Sequence, residues 1–136
     1  MVNIYSGGVS MYLSDGEYKR LKQIVHDWII SIDEDEELPK GITALNFGLF
    51  EPYGIELISA NVYDAENDDW ACEENFVPDQ RECPDFDVEE DISWEEFLSD
   101  IVQMLKELTE ELKDLKILQV KHITTGFCDG DLVVVK

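Results

Sequence analysis

Basic residues are scarce in this chain: ten Lys and Arg stand against 32 Asp and Glu, a formal charge of −22. So acidic a surface repels phosphate backbones, which argues against direct nucleic-acid binding. Anionic membrane faces are disfavoured for the same reason. Long apolar runs are lacking too, and nothing approaches the roughly 18 residues of a membrane span. The opening Met1-Val-Asn-Ile-Tyr-Ser-Gly-Gly has neither the basic nor the apolar region of a secretory signal. Cysteine is limited to Cys72, Cys83 and Cys128, an odd number without framework spacing. Free thiols and a cytoplasmic location are therefore expected.

Near-neutral bases are just as few, with only His26 and His122 available. No Gly-x-Ser-x-Gly elbow, phosphate-binding glycine loop or His-Glu-x-x-His helix occurs. The chain reads as a binding protein rather than an enzyme, with no catalytic residue to assign. What remains attractive to such a charge is a basic protein surface or a divalent cation.

What is present is core material for one domain spanning residues 1–136, including three Trp, five Tyr and six Phe. Ser14-Asp-Gly-Glu17 has the form of a capping box, in which the Ser hydroxyl and the Glu carboxylate each satisfy the other's backbone N–H. Tyr18, Leu21, Val25, Trp28, Ile29 and Ile32 follow at helical spacing. The acidic run 33–37 opposes the dipole at a helix C-terminus, which predicts that this helix ends before it. Ser93-Trp-Glu-Glu96 is a second capping box. Its helix carries Trp94, Phe97, Leu98, Ile101, Leu105, Leu108 and Leu112 as one apolar stripe.

Strands are predicted at 43–50 and 55–63, joined by the turn Glu51-Pro-Tyr-Gly54. Two more are predicted at 117–124 and 132–135, joined through the Asp129-Gly130 turn signal. Residues 9–13 could add an edge strand. The expected class is α+β: an antiparallel sheet of two hairpins, with two main helices packed on one face.

Between the first hairpin and the second helix lies the unusual stretch 64–96, with fifteen acids against the single base Arg81. Segments this long are usually functional or disordered, and its aromatics Trp70, Phe76 and Phe86 argue that it is at least partly docked. Asp64-Ala-Glu66-Asn-Asp68-Asp69 superficially matches a calcium loop. The pattern fails at its sixth position, Asp69 where Gly is needed, and at its twelfth, Asn75 where Glu is needed. Cys72, Cys83, Cys128 and His122 could make a zinc set, but ten residues separate the first two, whereas zinc knuckles space their ligands two to four apart. Neither metal nor cofactor is expected.

The sequence Tyr63-Asp-Ala-Glu-Asn-Asp-Asp-Trp-Ala-Cys72, ahead of Ser93-Trp-Glu-Glu-Phe97, resembles small uncharacterised bacterial α+β proteins over about 45–135. In size, acidity and layout the chain is also similar to immunity proteins of polymorphic or contact-dependent toxin systems. That resemblance implies a compact acidic domain occupying the active site of a basic toxin, often a nuclease. The expected partner-binding residues are Asp64, Glu66, Asp68, Asp69, Glu73 and Glu74, with Trp70 as apolar anchor. The alternatives are a divalent-cation-dependent enzyme using the 64–74 carboxylates and a generic interaction module whose acidity serves solubility.

Overall fold

The computed structural model describes residues 12–37, 39–64, 66–67, 70–71, 77–127 and 130–136. Helix α1 (Asp15–Asp35) turns Leu21, Val25, Trp28, Ile29 and Ile32 inward, and all five are essentially fully buried. Burial of each such side chain stabilises the fold by about 1.5–3 kcal/mol. The Ser14 hydroxyl accepts from Glu17 N–H at 3.3 Å, as a cap should. The return half of the box is absent. Ser14 N–H donates instead to Glu90 Oε1 at 2.8 Å, while the Glu17 carboxylate takes Arg20 and the N–H of Glu89.

The acidic run does not stop α1, which continues to Asp35. Those carboxylates accept hydrogen bonds that offset the unfavourable dipole. Asp33 Oδ1 takes the N–H of Ile117 at 3.0 Å, Asp35 Oδ2 the amide of Gln80, and Glu36, the C-cap, the N–H of Asp79.

β1 (Ala44–Phe50) and β2 (Gly54–Ala60) form the first hairpin, with Ala44 opposite Ala60. α2 (Trp94–Glu111) begins with the full capping box: Ser93 Oγ accepts from Glu96 N–H, and Glu96 Oε1 accepts from Ser93 N–H. β3 (His122–Phe127) and β4 (Val133–Val134) pair antiparallel as the second hairpin. The class is α+β. The sheet is mixed rather than antiparallel, in the order β2-β1-β3-β4, because β1 and β3 run parallel with Ala44 beside His122. Local pattern shows which face a strand residue takes; it does not show which strand lies alongside.

Two further expectations are corrected. Lys116–Leu118 is a 3-10 turn and not the start of a strand, with Ile117 and Leu118 buried beneath it. Tyr12 and Leu13 are not strand residues, because their N–H groups go to the Asp100 carboxylate of α2 at 2.8–3.2 Å. Residues 9–11 lie outside the described residues.

Leu45, Phe47 and Leu49 of β1, Ile55 and Leu57 of β2, and Ile123 and Phe127 of β3 meet both helices in one core. The opposite face carries a second, smaller cluster, in which Trp70 lies on Ala44 and Ala60 beside Tyr63. With both faces of β1 covered, its near-continuous burial follows. Across that second face Thr124 Oγ1 donates to Asn46 Oδ1 at 2.9 Å, which satisfies a buried pair between the parallel strands.

Candidate interaction surface

The long acidic stretch divides into two parts. Its second half, residues 77–93, is stapled to the fold. Trp28 Nε1–H donates to the Gln80 carbonyl at 2.7 Å, Arg20 reaches the carbonyl of Asp87, and Tyr53 donates to the carbonyl of Ile92. Leu57 N–H donates to Arg81 O and Cys83 N–H to Ile55 O, both at 2.9 Å, so this segment closes part of the outer edge of β2. Arg81 Nε also pairs with Glu56 Oε1 at 2.6 Å. The segment is thus held mainly through its backbone, with the Arg81, Asp87 and Glu90 side chains adding bonds to Glu56, Arg20 and Ser14.

In the first half, Asp64 and Glu66 are exposed, and Asp64 Oδ1 accepts from Glu66 N–H at 2.9 Å in a local turn. Asp68, Asp69, Glu73 and Glu74 lie outside the described residues, as do Cys72, Phe76, Cys128 and Asp129. Trp70 is 5% exposed, with its indole 5.2 Å from the ring of Tyr63 and packed on the two alanines. Its place as an apolar anchor is therefore already filled by its own sheet. Ala44 and Ala60, small residues facing each other across β1 and β2, leave the depression that the indole fills.

The tryptophan left outside is Trp94, at 48% exposure. It heads α2, where helical spacing assigns it to the core stripe. Phe97, Ile101, Met104, Leu105 and Leu108 do face inward, whereas Trp94, Leu98 and Val102 turn towards the flank of the helix above β4. There the sheet runs out, since β4 has two residues and nothing described lies beyond it. The result is an open groove of about 520 Å³ lined by the apolar Trp94, Leu98, Val102 and Val133 and by the polar Glu95, Ser99 and Gln103. Sequence reasoning missed this site. The stripe of α2 is wider than the sheet beneath it, and only the length of β4 reveals that.

A second groove, also of about 520 Å³, lies where the acidic end of α1 meets Lys116 and Ile117. Asp33, Asp35 and Glu36 are committed there to the hydrogen bonds that hold neighbouring segments.

Among the described residues no three His, Cys, Asp or Glu side chains converge as a metal site. Cys83 is buried, and burial pushes its thiol up to about 12, which suits a packed apolar group. His122 stacks on Tyr63 with centroids 3.8 Å apart and planes at 7°. No helix among the described residues is long and apolar enough to cross a membrane. Five of the ten bases, Lys19, Arg20, Lys22, Arg81 and Lys113, are already in ion pairs with the chain's own acids. Comparison with protein-family models, curated proteins and solved structures finds no match to this chain.

Proposed function

We propose that this chain is a non-catalytic, cytoplasmic binding protein that docks a basic protein partner, in the manner of a bacterial inhibitor or immunity protein. The observation that carries the reading is the half-exposed Trp94 standing beside Leu98, Val102 and Val133 at the end of the sheet. An apolar aromatic anchor with a polar rim is the composition of an interface centre. The surrounding field selects the partner. Against a charge of −22 with half its bases already paired, a cationic surface gains at long range, and a second acidic one loses. Exposed Asp64 and Glu66 contribute to that field, and the groove supplies the close contact.

The test immobilises the protein and challenges it with lysate of its own source cell at low and high salt. One basic protein should be retained at low salt and released at high salt, and Trp94→Ala should lose it. An unchanged set of captured proteins with Trp94→Ala would remove the groove from the reading. Retention indifferent to salt would remove the charge.

A further inference from the structure

The two open edges of the sheet are treated differently. The outer edge of β2 is met by residues 81–83 through two backbone hydrogen bonds. The outer edge of β4 is met by no described residue. Val135 N–H donates to the Ile123 carbonyl at 2.8 Å, and Val134 sits opposite Thr124 in the neighbouring, non-hydrogen-bonded position. Alternation in an antiparallel ladder then directs the N–H and C=O of Val134 away from β3, to the side where no described strand lies. Val134 itself is 54% exposed.

The side chains agree with the backbone. Val133 is paired with Thr125, on the helix face of the sheet, and lines the groove. Any strand laid against β4 would present its own helix-face side chain below Trp94, Leu98 and Val102. The groove is therefore the place of the next core residue, and the β4 edge is the place of the next strand. Among the described residues neither position is filled, and one added strand would fill both.

We propose that this corner accepts an extended, cationic segment of the partner protein as a fifth strand, pairing through Val134 and placing an apolar residue in the groove. The proposal rests on the binding reading above and specifies its mode. Because β4 is short, backbone pairing contributes two hydrogen bonds and the groove must contribute the remainder. Charge decides the occupant. Glu95 lines the groove and Asp131 is exposed just ahead of β4. The counter-charges nearby are few: Lys106 lies further along α2, and Lys136 is held by the Leu118 carbonyl at 2.8 Å. A second copy of the chain would bring another −22 to the same edge.

The probe is a capped heptapeptide of alternating Lys and Val, titrated into the isotopically labelled full chain. Its controls are the same peptide N-methylated at alternate amides and an amphipathic helical Lys/Leu peptide of equal charge. The expected result is binding of the alternating peptide, with slowed hydrogen exchange at Val134 and a shifted Trp94 indole resonance. Val134→Pro removes the outward N–H without touching the β3 ladder, and should weaken binding about tenfold, the worth of one good hydrogen bond. Val134→Thr keeps that N–H and should bind as the unaltered chain does. Val102→Asp should weaken binding through the groove alone.

Equal binding by the methylated peptide, preference for the helical one, or indifference to Val134→Pro would each overturn strand addition. Those results would leave the binding reading intact, which fails separately if lysate capture ignores salt and Trp94. A self-associating chain whose dimer is lost in Val134→Pro would assign the edge to a second copy and overturn the cationic occupant.

Discussion

The indole of Trp94 meets the ring of Phe127 edge-on, with centroids 5.9 Å apart and planes at 83°. One side of the indole is thereby tied to β3 while the rest faces solvent, so the residue is held in place without being consumed by the core. A pre-positioned aromatic of this kind loses little side-chain freedom on binding.

The two tryptophans that exchange places should separate cleanly on substitution. Trp70→Ala leaves the depression over Ala44 and Ala60 empty and should cost about 3–5 kcal/mol in urea unfolding. Trp94→Ala should cost about 1 kcal/mol or less while abolishing partner capture. Equal stability losses would contradict the assignment.

Trp28→Phe keeps the buried ring but removes the Nε1–H that reaches the Gln80 carbonyl. A loss of about 1–3 kcal/mol is expected from the stranded acceptor and the lost volume. Proteolysis between residues 77 and 93 should also accelerate, since this bond is one of the staples of that segment.

Two buried carboxylates should show opposite pH signatures. Arg20 beside Glu17 holds that carboxyl below its usual 4.5, helped by the Glu89 N–H. Its contribution is present above the unfolded value and lost as pH falls through the lowered folded one. Glu17→Gln should accordingly cost about 1–2 kcal/mol at neutral pH, and the difference from the unaltered chain should vanish in acid. For Asp100, 1% exposed, burial raises the pKa above 3.8 despite the Leu13 and Tyr12 N–H groups. Its contribution is complete below 3.8 and lost as pH rises through the folded value. Asp100→Asn should lack that fall when unfolding is followed across the same range.

Glycine positions give a contrasting pair. A Cβ at Gly126 would stand 2.8 Å from the Asp131 carbonyl oxygen and 3.3 Å from Leu132. Gly126→Ala should therefore push β4 away and destabilise the fold by about 1–3 kcal/mol. At Gly16, in the first turn of α1, nothing lies within 4 Å. There Gly16→Ala should add about 0.5–1 kcal/mol by thermal or urea unfolding.

The Cys83 thiol should resist alkylation at mildly basic pH in the folded chain and react on unfolding, because burial keeps it protonated. Mass-spectrometric mapping of that peptide reads the difference. Rapid modification in the native state would contradict its packing.

Local rules located most of the elements. The Ser93 box, the α1 stripe and the first hairpin were legible because they depend on spacing within a few residues, whereas the second hairpin was legible only in part, its first strand running over His122–Phe127 rather than 117–124. Ser14 shows where locality fails in part: its hydroxyl caps Glu17 N–H as the box predicts, but its own N–H goes to Glu90, 76 residues away, and not to the Glu17 carboxylate. The apolar run from Ile117 suited a strand as well as a buried turn, and the Asp33 carboxylate settled it as a turn by taking the N–H of Ile117. Trp94 and Trp70 were exchanged because helical spacing shows a direction, and the extent of the sheet beneath is a property of the assembled fold. Parallel pairing of β1 with β3 has no local signature at all.

That parallel pairing sets an order of events during synthesis. The buried side-chain oxygen of Asn46 must wait for the hydroxyl of Thr124, 78 residues further on, to donate to it. Until then the inner edge of β1 is an open template on the nascent chain, next to a helix whose apolar stripe has only the first hairpin to lean on. Chains interrupted before residue 122 should consequently be sticky and protease-sensitive, and those that pass it should close in one cooperative step. Quality control would then act on this protein mainly at its last strands.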